Sequence, residues 1–149
     1  MIEFAGKVAD VLCVTSRYIS GPSDDTTNIM LRFKSGATGL LFCSVATATT
    51  LSFTVFGTKG LAEFSKPNLA RFRYVPVSTV APTGPVTAPP DEIIETPAFD
   101  TLNAELVEFG RCIAEKRPYP VAIDQVLHGM SVFDAIVRSG KSGKIEIVE

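Results

Sequence analysis

The sequence predicts an α+β fold, an open, mostly antiparallel β-sheet with helices packed on one face. Three observations carry that expectation. Residues 28–64 read as a meander of four strands joined at glycine-marked turns. A strand-like alternation over residues 7–18 precedes the meander. Two amphipathic helical stripes follow late in the chain, between Asp100 and Pro118 and between Asp124 and Gly140.

Taken in order, residues 1–6 are too short to stand alone and read as the tail of a preceding element. Over 7–18, Val8, Asp10, Leu12, Val14 and Ser16 alternate with Ala9, Val11, Cys13, Thr15 and Arg17, which is a strand apolar on both faces at its centre. Gly21-Pro22-Ser23-Asp24-Asp25 is turn chemistry. Residues 28–34 place Ile29, Leu31 and Phe33 opposite Met30, Arg32 and Lys34, and Ser35-Gly36 turns the chain. Residues 38–48 are apolar or small almost throughout, so neither face is designed for water. Residues 51–56 and 61–64 form a hairpin across Gly57-Thr58-Lys59-Gly60, and 69–75 alternate as a further strand with one polar face.

Residues 76–97 then hold most of the chain's ten prolines and nothing periodic. Such a segment is barred from a sheet interior and is long for a connection, so it is expected to be an arm across a partner or substrate cleft, or a surface loop. Asp100 caps a helix whose stripe is Leu102, Leu106, Phe109 and Ile113, stopped at Lys116-Arg117-Pro118. Asp124 caps a second helix with Val126, Met130, Phe133 and Val137, closed by Gly140. Residues 144–148 alternate as a closing strand. Two helices can cover one face of such a sheet, yet its central strands are apolar on both. The open face therefore predicts an interface with another domain or a second copy.

At 149 residues, 46% hydrophobic and 20% charged, the chain has the composition of one soluble globular domain. A net charge of −2 and a pI near 5.4 supply no basic stripe, which argues against nucleic acid and against a membrane surface. Cys13, Cys43 and Cys112 lie far apart among apolar neighbours, the pattern of buried reduced thiols and hence of a cytoplasmic compartment. There is no apolar leader and no run of membrane-spanning length.

Chemistry is sparse. His128, the only histidine, is off its helix's apolar stripe, where a solvated surface residue competes with a general base or ligand. No cysteine or second histidine stands at zinc-ligand spacing, and Asp24-Asp25 fits a turn better than an acid–base dyad. Gly57-x-x-Gly60 lacks the third glycine of a dinucleotide loop and leads into a strand, where that loop needs a helix. No metal site and no cofactor site is expected in the chain.

Four motifs in fixed order carry a resemblance: Asp25-x-Thr27 at a strand entry, Phe33-x-Ser35-Gly36-Ala37-x-Gly39 at a hairpin, Phe56-Gly57-Thr58-Lys59-Gly60 at a turn, and Ser142-Gly143-Lys144-x-x-Ile147 after the last helix. Together they resemble the C-terminal domain of the Gfo/Idh/MocA oxidoreductases, over nearly the whole chain except the proline arm. The resemblance implies a dihydrodipicolinate reductase-like C-terminal domain spanning residues 1–149. It implies a parent chain with an N-terminal Rossmann domain that binds NAD or NADP and is absent from this sequence. The implied role is the substrate and oligomerisation half of an oxidoreductase acting on a sugar, polyol or related hydroxy compound, inactive on its own. Implied partners are a second copy on the open sheet face, the Rossmann domain and a small-molecule substrate. Lys7, Arg17 and Tyr18 from the first strand, and Arg71 and Arg73 near the arm, are the candidate substrate contacts. The competing expectations are a free-standing, non-enzymatic dimerisation or ligand-binding module, and a lone hydrolase using Asp24, Asp25 and His128.

Overall fold

A computed structural model of the protein describes residues 1–19, 21–65, 69–77, 90–97 and 99–149. In chain order its elements are α1 (Ile2–Ala5), β1 (Val8–Ser16), β2 (Thr26–Phe33), β3 (Thr38–Ser44), β4 (Phe53–Gly57), β5 (Gly60–Ser65), β6 (Arg71–Pro76), β7 (Glu92–Glu95), α2 (Thr101–Glu115), α3 (Ile123–Ser142) and β8 (Glu146–Ile147). The chain divides into two compact units, residues 1–48 with 109–149, and residues 49–108; the boundary falls within α2.

In the first unit β3, β2, β1 and β8 form an antiparallel sheet in that order. The period-2 pattern sends Val11 and Cys13 of β1 and Ile29, Leu31 and Phe33 of β2 to one face, where α3 covers them with Val132 and Ala135. These residues, with Val8 and Val148, are the core. Helix α3 reaches β1 through small side chains, and Gly140 passes 3.6 Å from Cys13 Sγ when given a Cβ, so nothing bulky separates helix from strand. The other sheet face is open. Its rungs Leu12–Met30–Leu40 and Val14–Asn28–Phe42 lie across three strands, and Leu40 and Phe42 are 80% and 63% exposed. At one end of this face Asp10, nearly buried, is held by Arg32, whose Nε lies 2.8 Å from Oδ1 and Nη2 2.8 Å from Oδ2.

The second unit is an antiparallel sheet in the order β4-β5-β6-β7. Its tight hairpin pairs Gly57 with Gly60, leaving Thr58 and Lys59 as the turn. Phe64 and Phe72 meet as a tilted cross-strand pair with centroids 5.0 Å apart.

The sheet class and the helices agree with the sequence expectation, and several details do not. The four-strand meander is interrupted, because β3 and β4 are edge strands of different sheets. Residues 1–6 include the short helix α1, whose Ile2 and Ala5 pack on the core together with the preceding Met1. The proline-rich stretch contributes β7, an edge strand on β6; residues 78–89 of the expected arm lie outside the described residues. Asp100 caps α2 as expected, accepting the Asn103 N–H. Asp124 is inside the first turn of α3, which is capped by Ala122 and runs past Gly140 to end at Gly143 in the left-handed conformation. The α3 stripe Val126, Met130, Phe133 and Val137 faces away from the sheet and is exposed, as is the α2 stripe. Cys13 and Cys112 are buried, but Cys43, expected inside, is exposed on the edge strand β3.

Candidate functional site

The five candidate contacts fall in two places. Arg71 and Arg73 lie on β6 in the second unit, where neighbouring strands supply carboxylates. Arg73 pairs with Asp91 at 2.7 Å and with Glu63 of β5 at 3.6 Å. Arg71 Nε is 3.8 Å from Glu95 Oε1 on β7, beyond hydrogen-bond reach. The charge of Arg73 is answered within the sheet, and Asp91 beside the guanidinium raises its pKa above the ordinary arginine value.

Lys7, Arg17 and Tyr18 flank β1 at opposite ends. Nine residues of strand separate them, about 30 Å at the usual rise per residue, so Lys7 cannot share a ligand with the other two. Arg17 is turned onto its own loop, donating from Nη2 to the Pro22 carbonyl and lying 3.9 Å from Asp24. Asp25 accepts the backbone N–H groups of Tyr18 and Ile19 and the hydroxyl of Thr26, which fixes the turn and leaves the Tyr18 ring outward. These hydrogen bonds, led by that of Ile19, hold the Asp25 carboxyl below the usual carboxylate range.

The turn places Tyr18 at the rim of an open groove of about 370 Å³ on the open sheet face, shared with Asn28, Phe42, Ser44 and Thr47. Ser44 and Thr26 exchange a hydrogen bond of 2.8 Å across the β2–β3 ladder, so the groove floor is fixed. Its lining holds rings, hydroxyls and an amide, and no charged group.

His128 is where sequence reasoning misplaced a residue. It is half-buried at the seam between α3 and β1, and its Nε2 accepts the backbone N–H of Val8 at 2.9 Å. Burial, with Lys7 and Lys34 nearby, keeps the ring below the ordinary histidine pKa. The Asp10–Arg32 pair was also missed, although facing positions on adjacent alternating strands were the available signal.

Among the described residues no cluster of three or more His, Cys, Asp or Glu could hold a metal. Gly57 and Gly60 face each other across an antiparallel hairpin, which is not the strand-to-helix cradle a dinucleotide needs. That hairpin therefore does not fit the diphosphate of a nicotinamide cofactor. No described helix is long and apolar enough to cross a membrane.

Residues 1–63 match the family model of the GFO/IDH/MocA C-terminal domain. No curated protein matches the sequence. Solved structures share the fold. An oxidoreductase from Agrobacterium radiobacter, in complex with NAD+, L-tartaric acid and magnesium, superposes with a TM-score of 0.74 at 17% identity, over 99% of this chain and 45% of that one. A levoglucosan dehydrogenase with NADH and levoglucosan gives 0.72 at 22% identity, over 96% and 45%. The aldose-aldose oxidoreductase of Caulobacter crescentus, complexed with glycerol, gives 0.68 at 23% identity, over 95% and 41%. The resemblance drawn from the four motifs is thus borne out, by the family model at the N-terminal end and by the fold along the chain. The chain spans less than half the length of these structures.

Proposed function

We infer that this chain is the C-terminal domain of a Gfo/Idh/MocA-type oxidoreductase, and that it supplies assembly and substrate contacts to a nucleotide-binding partner domain. In that parent, a Rossmann domain would hold NAD or NADP, and hydride transfer on a sugar, polyol or related hydroxy compound would occur where the two domains meet. The solved structures of the same fold, with nicotinamide cofactors and small hydroxylated ligands, support the substrate class. The cytoplasm is the compartment assigned, in keeping with three cysteines that form no disulfide.

The observation that carries the reading is the disposition of apolar surface. Helix α3 buries its small face on β1 and presents Met130 and Phe133, each 64% exposed, outward. A helix already packed on one side that keeps an apolar stripe on the other is built to meet a second body. We assign that stripe to the nucleotide-binding domain. The open face of the first sheet, through Leu40 and Phe42, is assigned to a second copy. Tyr18 and the groove beside it share the open face with Phe42 and are assigned with it to the contact between copies. Lys7, Arg17, Arg71 and Arg73 are left as supporting residues, since Arg17 and Arg73 bond within their own segments and Lys7 lies at the far end of β1.

The test is the mass of the 149-residue chain in solution by light scattering, with an NADH titration by fluorescence on the same sample. A dimer or larger assembly that ignores NADH is expected, and Phe42→Glu should convert it to monomer. Micromolar NADH binding by this chain alone would reject the division of labour, and a monomeric parent chain would reject the assignment of the open face.

A further inference from the structure

We propose that His128 is a pH-sensitive latch, tying the first turns of α3 to the start of β1 when neutral and releasing them when protonated. The geometry leaves the ring little choice. A ring nitrogen that accepts a hydrogen bond carries no proton, so the Val8 N–H at 2.9 Å fixes Nε2 as the bare nitrogen and Nδ1 as the protonated one. Adding a proton at Nε2 sets two donors against each other. The Val8 amide then loses its acceptor at the point where the β1–β2 register is irregular, between Val8 and Asp10.

The surroundings oppose the imidazolium as well. Lys7 precedes Val8 and Lys34 follows β2, and the backbone of the two is joined by the Lys34 N–H to Lys7 carbonyl hydrogen bond of 2.8 Å. Both ammonium groups disfavour a third cation, and burial acts in the same direction. From α1 the charged group on this side is Glu3, which accepts from Gln125 Nε2 one turn before His128 and is engaged there. Asp124 lies a turn away on α3 itself.

The latch holds a junction as well as a strand. Gly6, at φ 82°, is the swivel between α1 and β1, and Val8 is the second residue beyond it. Release at acid pH frees the α1–β1 corner from α3 while the Ala135 and Ser139 contacts farther along the helix remain. A transition local to this corner is expected ahead of unfolding.

The test uses the 149-residue chain. His128 is the only histidine, so its ring proton signals in a ¹H NMR titration are assigned without ambiguity. The expected result is a midpoint below 6.5, with the Val8 amide resonance moving on the same curve. His128→Gln keeps an acceptor and cannot titrate; it should retain a protected Val8 amide and lose the pH dependence. A midpoint at or above 6.5, or a Val8 amide in His128→Gln that still follows the wild-type curve, overturns the proposal. If His128→Gln fails to fold, the wild-type Val8 and His128 curves decide alone: separate midpoints reject the latch.

Discussion

Ser139 of α3 stands between Cys13 and Lys144 as an inserted rung of the sheet. Its Oγ accepts the Cys13 N–H at 2.8 Å and donates to the Lys144 carbonyl at 2.6 Å. The β1–β8 register, with Asp10 opposite Ile147 and Val11 opposite Glu146, would bring Cys13 opposite Lys144 two residues farther on. The two strands have parted there, and the hydroxyl spans the gap. Ser139→Ala should lower stability by about 1–3 kcal/mol, because a buried N–H is left without an acceptor. Urea unfolding should show the loss, and hydrogen exchange should place it at the Cys13 amide.

Gly60 is required by its hairpin. Its φ is 156°, and a Cβ there would collide with the Val75 carbonyl oxygen and the Tyr74 ring. Gly60→Ala should cost about 1–3 kcal/mol or more, with the β5–β6 pairing the part that loosens. Gly36→Ala meets no neighbouring atom and serves as the control for a positive φ alone, its own φ being 90°. The two variants should therefore differ in thermal midpoint, Gly60→Ala being the lower.

Asp25 should make the groove rim sensitive to acid. Its carboxyl pKa is lower in the folded chain than its ordinary 3.8, so the folded state favours the charged form. The stabilisation is present above that ordinary value and is lost as pH falls through the depressed folded value. Wild type should lose thermal stability faster than Asp25→Asn on acidification below pH 4. The Tyr18 and Ile19 amides, both bonded to this carboxylate, should become exchange-labile over the same window.

The three thiols should separate by reactivity. Cys43 is exposed, whereas Cys13 and Cys112 are buried, and burial raises the Cys13 pKa further from the reactive thiolate. One equivalent of a disulfide reagent is expected to react quickly with the native chain, at Cys43 by mass spectrometry, with the other two appearing only in denaturant. Rapid loss of Cys13 would contradict the packing of α3 on β1.

Strands were legible in the sequence because alternation is a local signal, and the Asp100 cap and Gly57–Gly60 turn were legible because each is set by a few neighbouring residues. The orientation of α3 was not. Its buried face is Val132, Ala135 and Ser139, with Gly140 against β1, mostly small residues that let the helix lie close; its most hydrophobic stripe faces out. A hydrophobic period identifies an apolar face without saying which body covers it. β7 was hidden because Glu92–Glu95 sits beside prolines, and Cys43 was misjudged because an apolar run does not reveal that its strand is an edge. The site suffered from a related limit: alternation assigns Arg17 and Arg73 a face but does not show the Asp24 and Asp91 carboxylates that engage them within their own segments. His128 was missed because its partner is a backbone amide 120 residues away.

Strand β8 is two residues long, yet the Val148 N–H donates to the Ala9 carbonyl at 3.0 Å and the Val148 side chain is buried in the core. Arg138 Nη2 donates to the Ile147 carbonyl on its outer side. This short seal separates β1 at Ala9–Val11 from other chains. Clipping residues 146–149 would bare the β1 backbone at Ala9–Val11 and take Val148 out of the core, so proteolytic trimming at this end should raise aggregation and lower stability together.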